Sequence, residues 1–198
     1  AVGFVGTDSF DYTVSDGTRQ TTATVNITVG EMAVSGPESD DFSAADLGDQ
    51  WTITTPGASS WALDTSGSDA FLSLITPDGT YDAWGTNTTA RAMQAMDDTD
   101  FTVETRFLST PDSKYELQGF LIEEDADTWL RFDTYSDGSK LYAFAAFSTA
   151  GSNTVLFQQV IQGGTAPFLR LERSGDTWTF LYSQDGSSWT LAGTTTRS

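Results

Sequence analysis

The chain has 198 residues, a formal net charge of −19, and neither histidine nor cysteine. A surface carrying 28 Asp and Glu against 9 Lys and Arg repels phosphate backbones and anionic lipid, which excludes nucleic acid and membrane surfaces as natural partners. Without His or Cys there is no Ser-His-Asp or Cys-His nucleophile, no thiolate redox chemistry and no ordinary zinc or haem site; carboxylate chemistry and oxygen-ligated cations remain.

Aromatic residues make up 13% of the chain, six of them Trp and 13 Phe, enough apolar surface to hold a core together without disulfides. Thr and Ser are abundant and helix-forming runs are missing, so the composition favours strands and turns. No apolar run reaches 18 residues, which argues against membrane insertion. Ala1 opens on strand-like sequence with no charged leader; if the protein is exported, its signal lies outside this chain.

The first predicted element is a β-hairpin over Asp8 to Val29. Phe10, Tyr12 and Val14 alternate with polar residues, Ser15-Asp16-Gly17-Thr18 supplies turn chemistry, and Ala23, Val25, Ile27 and Val29 alternate again. Its face of Phe10, Tyr12, Val14, Val25 and Ile27 needs a partner, because an isolated hairpin is marginal in water. Gly6 to Gly17 and Ala23 to Val29 resemble the end of the cadherin-like, immunoglobulin-like tandem repeats of large bacterial surface proteins. The resemblance implies the last two strands of a sandwich whose earlier strands are not in this sequence, so the expected occupants of the apolar face are neighbouring copies or other segments of the parent protein.

Gly30 to Ser39 lacks periodicity and reads as a linker, leaving residues 1–30 as the hairpin and 40–198 as a second module. In that module Asp40-Asp41-Phe42-Ser43 leads through Leu47 to Trp51, and Trp61 with Leu63 precedes a strand over Phe71 to Ile75. Further strands are predicted over Phe101 to Phe107, Gln118 to Ile122, Trp129 to Thr134, Leu141 to Phe147, Val155 to Ile161, Phe168 to Arg173 and Trp178 to Tyr182. Phe101, Val103 and Phe107 are expected to point inward, and Thr102, Glu104 and Arg106 outward. Short strands at this spacing predict an antiparallel two-sheet jelly-roll sandwich preceded by the hairpin.

The Asp-Asp-Phe-Ser segment with Leu47 and Trp51, the Phe101 strand, Gly119-Phe-Leu-Ile before an acidic turn, Asp127-Thr-Trp-Leu-Arg and Ser183-Gln-Asp-Gly-Ser-Ser-Trp-Thr occur in order over residues 40–192. Together they resemble the concanavalin A-like modules at the C-terminus of bacterial xylosidase- and arabinofuranosidase-type glycoside hydrolases. The resemblance implies a non-catalytic carbohydrate-binding or adhesion module of a secreted or cell-surface bacterial protein. It also implies a closing strand beside the module's first strand after the Ser-x-Asp-Gly-x-x-Trp turn, which the chain reaching only Ser198 leaves in question.

Glycan-hydrolase and self-assembling alternatives stand beside this reading. The related glucanase motif Glu-x-Asp-x-x-Glu begins at Glu123 and Asp125, but Thr128 stands where the second Glu should be, and Glu123, Glu124, Asp125 and Asp127 read as a solvated acidic turn. No cofactor is required. A structural Ca2+ is the metal this composition admits, with Asp40, Asp41, the Asp97, Asp98 and Asp100 cluster, Asp125 and Asp127 as candidate ligands. Trp51, Trp178 and Trp189 occupy packing positions, and Asp185-Gly186 reads as a turn pinned by side-chain bonds with Trp189 over the core. Trp84, in a polar loop, and Trp129, opposite in strand parity to Leu130 and Phe132, are the expected accessible sugar platforms. Arg131 and Asp133, of the same parity as Trp129, complete the expected ligand-binding set.

Overall fold

The computed structural model describes residues 6–29 and 36–197, which fall into two units, Ala1–Val34 and Ser35–Ser198. All regular structure among these residues is strand.

In the first unit β1 (Gly6–Ser15) pairs antiparallel with β2 (Gln20–Val29), setting Phe10 opposite Val25 and Tyr12 opposite Ala23. Asp16 makes the turn: its Oδ1 accepts the N–H groups of Thr18 at 2.8 Å and Arg19 at 2.7 Å, while Gly17 takes the left-handed φ of 89° that a side chain would resist. The polar face is stitched by Thr13 and Thr22, whose hydroxyls lie 3.0 Å apart, and by Thr24 donating to Asp11 at 2.6 Å. On the other face Phe10, Tyr12, Val14 and Ile27 are each about half exposed. Residues 30–35 of the predicted linker lie outside the described residues. Glu38, also assigned to the linker, is held in the second unit by a two-way bond with Gln94: its N–H reaches Gln94 Oε1 at 2.7 Å and its carbonyl accepts from Gln94 Nε2 at 3.0 Å.

The second unit runs through β3 (Thr52–Thr54), β4 (Ser60–Asp64), β5 (Phe71–Ile75), β6 (Arg91–Met93), β7 (Phe101–Arg106), β8 (Leu117–Asp125), β9 (Thr128–Ser136), β10 (Leu141–Thr149), β11 (Ser152–Val160), β12 (Phe168–Ser174), β13 (Thr177–Ser183) and β14 (Trp189–Thr196). Two four-stranded antiparallel sheets, ordered β11-β10-β9-β8 and β14-β13-β12-β7, share one core, and β3-β6 and β4-β5 form two small ribbons. The sandwich follows from strand alternation. Leu130 and Phe132 of β9 and Ala143 and Ala145 of β10 meet Leu169 and Leu171 of β12 and Trp178 and Phe180 of β13. Phe132, Phe157 and Phe180 form an edge-to-face triad with centroids 5.3 to 6.3 Å apart. Phe101, Val103 and Phe107 pack against this core, as their alternation predicts.

One expectation changes. The residues after the Asp185 turn form a strand, β14, paired with β13 at the edge of its sheet. Its Thr-rich sequence carries only a weak apolar alternation, which is why it goes unseen in the sequence. Trp189 opens that strand but does not cover the core; the Arg170 guanidinium lies over its ring at 3.9 Å, on the face opposite to Leu169 and Leu171. The turn itself is built as expected: Asp185 Oδ1 accepts the N–H groups of Ser187 at 2.8 Å and Ser188 at 2.7 Å, donors that hold its carboxyl well below the usual carboxylate range.

Candidate functional site

The outer face of the β8–β11 sheet is unusual for a sandwich, because it is aromatic and largely covered. Register brings Trp129 beside Ser148 and Glu123, and Arg131 beside Ala146 and Leu121. Asp133 is placed beside Phe144 and Gly119. Trp129, Phe144 and Ala146 are buried there with Leu121 and Tyr135 against them, forming a second, smaller core. Gly119 is required by this row: a Cβ on it would lie 2.2 Å from the Phe132 carbonyl oxygen and 2.4 Å from Asp133 Cα.

The cover is the loop of residues 76–90, between β5 and β6. Asp82 shapes it as an Asx turn, its Oδ1 accepting the N–H of Trp84 at 2.7 Å and of Gly85 at 3.1 Å, while Asp82 N–H donates to Thr88 Oγ1 at 2.7 Å. These backbone donors hold the Asp82 carboxyl below its ordinary range. Two side chains of the sheet then grip the loop by its backbone: Arg131 Nη1 donates to the Ala83 carbonyl at 2.7 Å, and Asn153 Nδ2 to the Trp84 carbonyl at 2.6 Å. The Trp84 ring settles edge-on to Trp129 at 6.2 Å and beside Phe144 at 6.4 Å.

Between the loop and the ends of the β8–β9 and β10–β11 hairpins lies a cleft of about 320 Å³, lined by Trp84, Asn87, Arg91, Glu123, Asp127, Trp129, Ser148 and Asn153 among others. Its floor is fixed by the Asp127 carbonyl, which accepts Ser148 Oγ at 2.7 Å and Gly151 N–H at 2.9 Å. An indole face, amide groups and carboxylates around one cleft are suited to an uncharged polyhydroxylated ligand, which offers apolar C–H faces and hydroxyls together.

Of the four residues expected to bind ligand, the structure brings Trp84 and Trp129 to the cleft. Trp84 keeps 38% of its surface exposed. Trp129 does face away from the main core, but it is not accessible: it is only 7% exposed, because the loop lies over it. Arg131 and Asp133 sit beneath the loop and outside the cleft lining, with side chains 12% and 3% exposed. Their contact, Arg131 Nε to Asp133 Oδ2 at 2.9 Å, lacks hydrogen-bond alignment, so both Asp133 oxygens are left without a hydrogen-bond partner. Burial pushes the Asp133 carboxyl up to about 7 against the opposing pull of Arg131.

Glu123, Glu124 and Asp125, expected in a turn, end strand β8; Glu123 and Asp127 reach the cleft, whereas Asp125 accepts the Asp127 N–H at 2.8 Å. Asn153 and Arg91 were not foreseen as site residues; pairing Ser148 with Asn153 across the Ala150-Gly151 turn is the sequence signal that would have placed the first of them. Three of the other candidate calcium carboxylates make contacts within the fold. Asp40 binds Phe42 N–H and Trp51 Nε1, both at 2.8 Å, Asp98 pairs with Arg173, and Asp100 accepts the Gly175 N–H at 2.6 Å. Among the described residues no three acidic side chains converge as a metal site.

No curated protein matches the chain. Among solved structures it is similar to the GH43 protein BlXynB (K247S mutant) from Bacillus licheniformis, with 18% identity and a TM-score of 0.63, over 90% of this chain and 38% of that one. A functionally unknown protein from Saccharomyces cerevisiae aligns at 12% identity and a TM-score of 0.46, over 75% of this chain and 80% of its own. The chain thus spans little more than a third of the GH43 protein, and that likeness concerns the fold. The hairpin, with its resemblance to cadherin-like repeats, lies before the residues matched by a family model. Residues 39–198 match the beta xylosidase C-terminal concanavalin A-like domain, and the chain belongs to that family.

Proposed function

We propose that residues 40–198 act as a non-catalytic carbohydrate-binding module of a secreted or cell-surface protein, with catalysis carried by another part of that protein. The observation that carries the reading is the cleft beside Trp84, where a partly exposed indole stands next to Asn87, Glu123, Asp127 and Asn153. The indole would stack on the apolar face of a pyranose while the amides and carboxylates bond its hydroxyls. Membership of a xylosidase-associated family makes β-1,4-xylan chains the first ligand to test. Isothermal titration with xylohexaose should give measurable binding, and Trp84→Ala should weaken it by about tenfold, the scale of losing one stacked aromatic contact. A blank titration with the wild-type protein, or unchanged affinity in the variant, counts against the reading.

A second reading, self-association, is favoured by one feature: Phe10, Tyr12, Val14 and Ile27 share an exposed hairpin face. Such a face seeks cover. Sedimentation velocity should show concentration-dependent association that Phe10→Asp removes. A single monomeric species at all concentrations would reject it.

A further inference from the structure

The loop that presents Trp84 has no strand partner, so its placement depends on the side chains beneath it. Its own bonds, Asp82 to Trp84 and Gly85 and Asn87 to Thr89, shape the turn but do not dock it. Docking comes from the sheet: Asn153 Nδ2 donates to the Trp84 carbonyl at 2.6 Å, and Arg131 makes the remaining contacts from beneath. The guanidinium donates to the Ala83 carbonyl at 2.7 Å and lies over two aromatic rings, 4.9 Å from the centroid of Phe144 and 5.7 Å from that of Trp84. A planar, delocalised cation can stack on a ring and still project donors in its plane, which an ammonium cannot do.

Asp133 braces that cation from two residues along the same strand, its Oδ2 lying 2.9 Å from Arg131 Nε and limiting where the guanidinium can lie. The position is enforced by the sheet: Asp133 faces Gly119 on one neighbour and Phe144 on the other, and Gly119 has no room for a side chain. Replacing the pair by apolar residues of similar volume would pack this face as well or better, because a buried polar pair of imperfect alignment adds little stability. Its presence is better explained by what the arginine holds.

We infer that Arg131 is a positioning residue for the carbohydrate cleft: braced by Asp133, it fixes the Ala83–Trp84 backbone and thereby the orientation of the Trp84 ring on which the sugar stacks. The inference rests on the proposed binding function for its consequence on affinity, but the placement of Trp84 can be read without any ligand.

The test uses the full 198-residue chain, with acrylamide quenching of tryptophan fluorescence as the ligand-free measurement and xylohexaose titration as the binding measurement. Arg131→Met should raise the quenchable fraction, the rise should vanish in a Trp84→Phe background, and xylohexaose affinity should fall at least fivefold. Arg131→Lys keeps the buried charge and a donor for Ala83, and should recover part of both effects. Should Arg131→Met fail to fold with Asp133 left unpaired, the double variant Arg131→Met/Asp133→Asn removes both charges together and is read in its place. Unchanged Trp84-dependent quenching in a folded variant overturns the inference, as does unchanged affinity. A wild-type protein that ignores xylohexaose while its Arg131 variants release Trp84 defeats the binding reading and upholds the positioning role.

Discussion

Phe132→Ala is expected to remove about 3 to 5 kcal/mol of folding stability, the range for deleting a fully enclosed ring. Phe132 has no exposed surface, and its ring meets Phe157 at 6.3 Å and Phe180 at 5.3 Å, so the cavity would open between the two sheets at the centre of the core. Neither neighbour can collapse into it freely. Phe180 is itself fully enclosed, and Phe157 fills the space left by Gly193, where a Cβ would stand 2.6 Å from its ring. Against a typical domain stability of about 5 to 15 kcal/mol the loss is large, corresponding to roughly 10 °C in melting temperature. Differential scanning calorimetry checks it; a shift of only one or two degrees would mean the sheets do not close on Phe132.

The second large effect is in the pH dependence of stability. The Asp133 carboxyl titrates near 7 in the folded protein instead of near its ordinary 3.8, because burial outweighs the attraction of Arg131. Between those values the folded state binds a proton that the unfolded state has lost. The contribution is therefore fully present below about pH 4, is lost as pH rises towards 7, and levels off above, with a total on the order of a few kcal/mol. The charged and titratable groups that bear on Asp133 are Arg131 and Tyr135, both on β9. Tyr135 does not change charge in this interval, because burial raises its hydroxyl above the ordinary 10.

The exposed turn carboxylates act with the opposite sign. Asp16, Asp41, Asp64 and Asp185 are held low by their bonds to nearby N–H and hydroxyl groups, so their contributions are present near neutrality and lost as pH falls through their folded values. The Asp133 contribution can be isolated by difference. Urea unfolding of wild type and Asp133→Asn at pH 4.5, 6 and 7.5 should give a wild-type-minus-variant stability that declines steadily with pH. A flat difference would mean that Asp133 is ionised throughout and water reaches it.

Strand parity made much of the sandwich legible in the sequence. Leu130 and Phe132 against Trp129, Arg131 and Asp133 is a two-residue period, and a period fixes which residues share a face. It says nothing of what lies over that face. The 76–90 loop has no periodicity, so its docking on Trp129 could not be read, and Trp129 was expected to be accessible when it is buried. Arg131 and Asp133 read as ligand-facing for the same reason, since polar residues on an outward face ordinarily meet solvent. Trp189 failed differently: a tryptophan beside a tight turn suggests core cover, but the competing attraction was the guanidinium of Arg170, whose identity as a partner depends on a strand some twenty residues away in sequence.

The sheet holds the 76–90 loop by the carbonyl oxygens of Ala83 and Trp84. Every amino acid has a carbonyl, so this attachment does not depend on which side chains the loop carries at those two positions. Substitutions there can alter the surface offered to a ligand while the anchoring strands keep their sequence. The two anchoring bonds thus leave the identity of the side chain at position 84 to be set by its packing against Trp129 and Phe144 and by whatever it faces outside.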